Sequence, residues 1–192
     1  MLPPILDSAL EVLWVLLPAY LASAFATLPR GRGPPMDFGR SLASDQRRVL
    51  GSSKTWSGFL CGSLLALPFG LLEAWLILLA PPHLQLVPRF ASSVLAAVPV
   101  ISLITFGAMS GDALGSFLKR RAGLESGARG LLIDQLPFVL LPIALGLLLY
   151  PTLFWGTFGS WMALLWLLVF TLGLHLTFNW VGFHAGLKKV PL

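Results

Sequence analysis

Two aspartates stand in stretches that are otherwise apolar. Asp112 lies about two helical turns before the end of the run from Phe90 to Leu118, and Asp134 lies just inside the run that begins at Gly130. A carboxylate facing lipid costs on the order of 3 kcal/mol, so each acid should face protein, water or a cation. Gly111 and Gly115 flank Asp112, with Ser116 one turn further along the same face. Between the two acids runs a short loop with Lys119, Arg120, Arg121 and Arg129. Two carboxylates at nearly one depth beside many cations point to a hard divalent metal, since Mg²⁺ typically uses one or two carboxylates together with phosphate oxygens. The plainer alternative pairs each aspartate with a nearby arginine or makes it a helix cap.

A second cluster is Gly51-Ser52-Ser53-Lys54-Thr55-Trp56, which has the chemistry of a phosphate cradle. Gly51 permits close backbone approach, Ser52 and Ser53 donate hydroxyl hydrogen bonds, and Lys54 supplies a point charge. Thr55 and Trp56 then open a helix whose free N–H groups favour an anion. It is not a complete P-loop, because Ser53-Lys54-Thr55 replaces Gly-Lys-Ser/Thr and no strand precedes it. An N-cap serine followed by a topology-setting lysine is the structural alternative. Further on, Asn179 is the only asparagine of the chain, and Lys188 and Lys189 follow it. Asn179 can orient a base, ribose or phosphate, or join two helices by a hydrogen bond. Glu73 reads as a packing or interfacial residue, and His184 as an interfacial histidine without a second ligand at metal-binding spacing.

The elements that must position these residues follow from composition. The 192-residue chain is 56% hydrophobic and 11% charged, with a mean hydropathy of +0.83. A soluble domain carries roughly 25% charged residues, and a core of this size cannot bury so much apolar surface. Disorder is excluded by the hydrophobicity, and a disulfide scaffold by the single cysteine, Cys61. A hydrocarbon layer about 30 Å thick needs roughly 20 apolar helical residues. The sequence therefore predicts an all-α polytopic membrane protein, one domain over 1–192, with five transmembrane helices near 3–28, 56–81, 90–118, 131–149 and 156–182. Ala22-Ser23-Ala24 resembles a signal-peptide cleavage site, but Asp7 and Glu11 occupy the place of the basic region such a peptide needs.

Of 13 Lys and Arg residues, all but Arg89 fall in loops 29–55 and 119–130 and the tail 183–192. The positive-inside tendency then places the N-terminus outside, the C-terminus in the cytoplasm and the polar site on the cytoplasmic side of the cell membrane. In that setting the net charge of +5 needs no nucleic acid to explain it. The residues set no oligomeric state, and no role follows from them for Asp37 and Asp45.

Taken together, the polar segments resemble a known family. These are Pro-Met-Asp-Phe-Gly at 35–39, Arg-Arg-x-x-Gly-x-x-Lys-Thr-Trp-x-Gly at 47–58, Gly-Asp-x-x-Gly-Ser-Phe-x-Lys-Arg-Arg-x-Gly at 111–123, Asp-Gln-x-Pro-Phe at 134–138, and the Asn…Lys-Lys-Val-Pro tail. They are similar to the CDP-archaeol synthases, archaeal relatives of phosphatidate cytidylyltransferase. The resemblance implies transfer of the cytidylyl group of CTP to a polyprenyl glycerol phosphate, 2,3-bis-O-geranylgeranyl-glycerol 1-phosphate, with Mg²⁺ required. On that reading Asp112 and Asp134 hold the metal, and Lys54, Lys119 and Arg120 serve catalysis. Gly51, Ser52, Ser53, Lys54, Thr55, Arg121, Asn179, Lys188 and Lys189 bind nucleotide or phosphate. An ester-lipid cytidylyltransferase, a CDP-alcohol phosphotransferase and a small cation transporter are the alternatives. The phosphotransferase needs more clustered aspartates than this chain has, and a transporter needs a polar path through the apolar outer halves of the spans.

Overall fold

The computed structural model describes residues 4–43, 46–81, 83, 85–124 and 131–184. These form six α-helices: α1 Pro4–Phe25, α2 Trp56–Leu79, α3 Val94–Arg121, α4 Leu131–Leu149, α5 Pro151–Phe158 and α6 Trp161–His184. Among the described residues extended backbone pairs only as two isolated antiparallel bridges, Pro35 with Thr55 and Ser41 with Arg48. Among the described residues three helices are long and apolar enough to cross a bilayer: Ile5–Phe25, Trp56–Leu79 and Val94–Arg121. A fourth span results if α5 and residues 161–174 of α6, bent by 84° at their junction, are taken together, while Gln135–Leu149 is a shorter apolar helix.

Helix ends differ from the expected spans where a side chain caps the backbone. Ser93 caps α3, its hydroxyl accepting from the Ala96 N–H at 3.2 Å, so the helix starts at Val94 and not at Phe90. At the other end α3 runs past Leu118 through Lys119, Arg120 and Arg121. The stretch expected as one span over 156–182 is broken. Pro151 starts α5, Gly159 ends it, and Ser160 caps α6 by accepting from Ala163 N at 3.1 Å. Those three residues turn the chain before α6 begins, so 156–160 do not belong to the long helix.

The buried core draws Val12, Val15 and Leu16 from α1, Val100, Ile101 and Ile104 from α3, Val139 from α4, and Phe154 from α5. Tyr20 and Thr171 join α1 to α6 through a 3.0 Å hydroxyl contact. The outer surface is apolar too, with Leu64, Leu72 and Leu79 of α2, Leu148 and Leu149 of α4 and Leu164 and Leu168 of α6 all exposed. A surface this apolar requires lipid against it.

The closest helix contact is the antiparallel α3–α4 pair, and it sets the register of the site. Gly107 meets Pro142, Gly111 meets Pro137 and Phe138, and Gly115 meets Ile133. Proline lacks an N–H, so Pro137 leaves the Ile133 carbonyl without its helix donor. That oxygen lies 2.6 Å from where a Cβ on Gly115 would stand. At Gly111 a Cβ would collide with the Pro137 carbonyl oxygen. Only glycine permits this approach, in which Cα–H groups face carbonyls across the interface. Gly111→Ala should therefore destabilise the hairpin by roughly 1–3 kcal/mol, whereas Gly173, with open space around its Cβ position, should accept alanine. Unfolding temperatures in detergent check this, with a lower value expected for Gly111→Ala alone.

Candidate active site

The polar loop between α1 and α2 folds back on itself. Met36 N donates to Lys54 O at 2.8 Å and Trp56 N to Pro34 O at 3.0 Å. Further out, Val49 N donates to Arg40 O and Leu42 N to Arg47 O, both at 3.0 Å. Inside this double pairing lies Asp37, whose side chain is fully buried. Its Oδ1 accepts from Gly39 N at 3.0 Å, and its Oδ2 from Leu50 N at 3.1 Å and Gly51 N at 3.0 Å. Arg48 closes the set as a two-point partner, Nη2 to Oδ1 at 2.5 Å and Nε to Oδ2 at 3.2 Å. Burial alone would raise the Asp37 pKa, but the Arg48 guanidinium and the three backbone N–H groups outweigh it and hold the carboxyl well below the usual aspartate range.

Gly51 N–H is thus committed to Asp37 rather than free for a phosphate. Thr55 is buried as the N-cap of α2, accepting from Gly58 N at 3.2 Å. Between them Ser52 and Ser53 form an exposed turn. Lys54 leaves that turn to reach α3, its Nζ 2.6 Å from Asp112 Oδ2, with both side chains partly exposed.

Three further contacts dock the loop on the end of α3. Arg47 Nη1 donates to the Arg120 carbonyl at 3.4 Å, and Arg121 Nη2 donates to the carbonyls of Arg48 at 2.8 Å and Arg47 at 3.3 Å. A cationic side chain on the last carbonyls of a helix also suits its dipole. Arg121 lies over the Phe117 ring at 5.3 Å, so this residue, expected at phosphate, is a clamp of the loop. Lys119 and Arg120 are buried in the last turn of α3.

Asp134 lies in the first turn of α4, its side chain outside the described set. The Gly111–Pro137 and Gly115–Ile133 contacts place residue 112 level with about residue 136, so Asp112 and Asp134 differ by about 3 Å along the helix axes. Asn179 lies on α6 with its side chain likewise outside the described set, and Lys188, Lys189, Arg129 and Asp45 lie outside the described residues.

A chain of this architecture has known relatives. A family model described as CarS-like, CDP-archaeol synthase, matches residues 5–192. The chain belongs to the CDP-archaeol synthase family. It is 36% identical to a CDP-archaeol synthase of Archaeoglobus fulgidus, over 97% of this chain and 99% of that one. It is 38% identical to one of Thermococcus gammatolerans, over 97% and 98%. A solved structure of an intramembrane enzyme for archaeal membrane lipids biosynthesis is 33% identical, with a TM-score of 0.63 over 88% of this chain and 93% of that one. The protein is accordingly a multi-pass membrane enzyme of lipid biosynthesis, a CTP-using cytidylyltransferase.

Sequence reasoning left Asp37, Arg47 and Arg48 out of the candidate site, where they shape and dock the loop. The available signal was that Asp37 and Asp45 are the only acids of a strongly basic loop, and Asp37 stands between Pro35 and Gly39, residues that shape turns. The folded-state pKa of Asp37 is depressed, so its contribution is complete above the ordinary aspartate value of about 3.9 and is lost as pH falls below it. Asp37→Asn should lower stability at neutral pH, and its unfolding temperature should fall less steeply below about pH 4 than that of the wild type. Melting curves from pH 7 to pH 3 check both.

Proposed function

We propose that the protein transfers the cytidylyl group of CTP to 2,3-bis-O-geranylgeranyl-glycerol 1-phosphate, giving CDP-archaeol and pyrophosphate with Mg²⁺ present. The site faces the cytoplasm from a five-span bundle with its N-terminus outside. The observation that carries this reading is the Lys54–Asp112 contact, which joins the hydroxyl-rich loop to the one acid of α3. A phosphate monoester of a lipid is already ionised near neutral pH, so no strong base is needed. A lipid phosphate oxygen forms a bond to the α-phosphorus of CTP, the bond to the β-phosphate oxygen breaks, and pyrophosphate leaves with the electron pair. The difficulty is to bring two anions together and to stabilise charge on the leaving group.

The donor set suits Mg²⁺. Asp112 offers a partly exposed carboxylate, and Asp134 lies one helix away at nearly the same level, which is the pairing Mg²⁺ takes alongside phosphate oxygens. When bound, the ion neutralises triphosphate charge. Lys54 orients the Asp112 carboxylate and supplies a cation to the same phosphates. Ser52 and Ser53 present hydroxyl donors at the exposed turn, and Lys119, Arg120, Lys188, Lys189 and Asn179 complete the phosphate and nucleotide contacts. The isoprenoid chains stay in the bilayer against the apolar helix faces.

The test supplies purified protein with labelled CTP and Mg²⁺, offering phosphatidate and the geranylgeranyl ether phosphate side by side. CDP-lipid from the ether phosphate is expected. Asp112→Asn and Asp134→Asn should each lower turnover by roughly a hundredfold or more while leaving the protein folded in detergent. Preference for phosphatidate would overturn the substrate assignment, and wild-type turnover in either variant would overturn the metal pair.

A further inference from the structure

Where α1 gives way to the polar loop, a groove of about 530 Å³ is lined by Leu28, Pro29, Arg30, Arg32, Gly33 and Ser57. Nothing in the site described above uses it. Its two walls differ in chemistry. Leu28 is exposed three residues beyond the membrane helix that ends at Phe25, so one wall belongs to the bilayer edge. Arg30 and Arg32 are exposed on the other wall. Among the described residues neither guanidinium has an ion-pair or hydrogen-bond partner, in contrast to Arg48, which is paired with Asp37.

The floor is built by a close approach that only glycine allows. Gly33 has φ of +103°, and a Cβ there would fall 2.6 Å from Ser57 Oγ. Ser57 in turn donates its hydroxyl to the Arg32 carbonyl, which ties the arginine segment to the first turn of α2. The same segment is then pinned to residues 54–56, since Pro34 O accepts from Trp56 N and Met36 N donates to Lys54 O. Ser57 is three residues from Lys54, at most about 10 Å of chain. The groove is therefore a tethered neighbour of the Lys54–Asp112 contact, where the chain leaves α1.

An amphiphile with a phosphate monoester next to its hydrocarbon has this distribution of chemistry: cations for a dianion, and an apolar wall continuous with the bilayer. We infer that the groove receives the phosphate-bearing head of the lipid acceptor, with Arg30 and Arg32 gripping the phosphate beside the CTP site. This rests on the cytidylyl-transfer reading. A free triphosphate would share the arginine chemistry, but it has no use for the Leu28 wall at the bilayer edge, so the lipid is the occupant the groove favours.

The experiment compares the full-length wild type with Arg30→Gln, Arg32→Gln, the double glutamine variant and the double lysine variant. KM is measured separately for lipid acceptor and for CTP, and binding of the lipid phosphate in micelles is measured without CTP. The double glutamine variant should raise the lipid KM and weaken lipid binding at least tenfold, with the CTP KM changed less than twofold. The lysine variant should recover part of the loss, because it keeps charge without the two-point geometry. If the double variant does not fold, the single exposed substitutions carry the same comparison. A rise in CTP KM, an equal rise in both, or no change in either would overturn the groove assignment while the wild type still makes CDP-lipid. A wild type that makes none would overturn the reading beneath it, and the groove assignment with it.

Discussion

A buried carboxylate holds the loop between α1 and α2 in shape. Asp37 accepts three backbone N–H groups and a two-point arginine contact with none of its side chain exposed. Hydrogen bonds to a charged group contribute more than neutral ones, and a buried carboxylate left short of partners is costly. The loop thus has one arrangement in which this charge is satisfied, and that arrangement fixes Gly51 at one end of a short exposed turn and Lys54 at the other. A loop rich in glycine, serine and arginine has little apolar surface with which to order itself, so an internal anion takes the place of a core.

The helical bundle supplies the other half of the constraint. In lipid the backbone must satisfy itself, and helix association relies on close packing rather than on exclusion of water. The row of Gly107, Gly111 and Gly115 against α4 sets the level of Asp112 relative to the first turn of that helix. Arg47 and Arg121 then fasten the loop to the end of α3, so positions separated by as many as 74 residues in sequence share one polar surface. Basic residues here divide into those that hold the loop and those left available to phosphate. Arg48 and Arg121 belong to the first group, while Arg30 and Arg32 lie in a groove of their own.

Much of this was legible in the sequence, and the omissions have physical reasons. Long apolar runs read directly as helices because the bilayer demands both length and hydrophobicity. The short helix α5 was less visible, because an eight-residue segment followed by a capping serine forms through local geometry that hydropathy does not register. Asp112 and Lys54 stood out as polar groups in informative places. The role of Asp37 did not, since its partners are mostly backbone N–H groups of residues 39, 50 and 51, whose identities carry no mark of that contact. In sequence Arg121 is indistinguishable from a phosphate-binding cation, because the loop carbonyls it meets lie more than 70 residues away. Charge counts give the sign of a surface, and only the fold shows which charges are already engaged.

On the proposed reading Lys54 and Asp112 act as one unit at the nucleotide phosphates. A double-mutant cycle on CTP binding tests it most directly, using the wild type, Lys54→Met, Asp112→Asn and the double variant in the same detergent. The loss in the double variant should fall short of the sum of the single losses by about 0.5 kcal/mol or more, as for residues in contact. Strict additivity would contradict it, because the two side chains would then act at independent places.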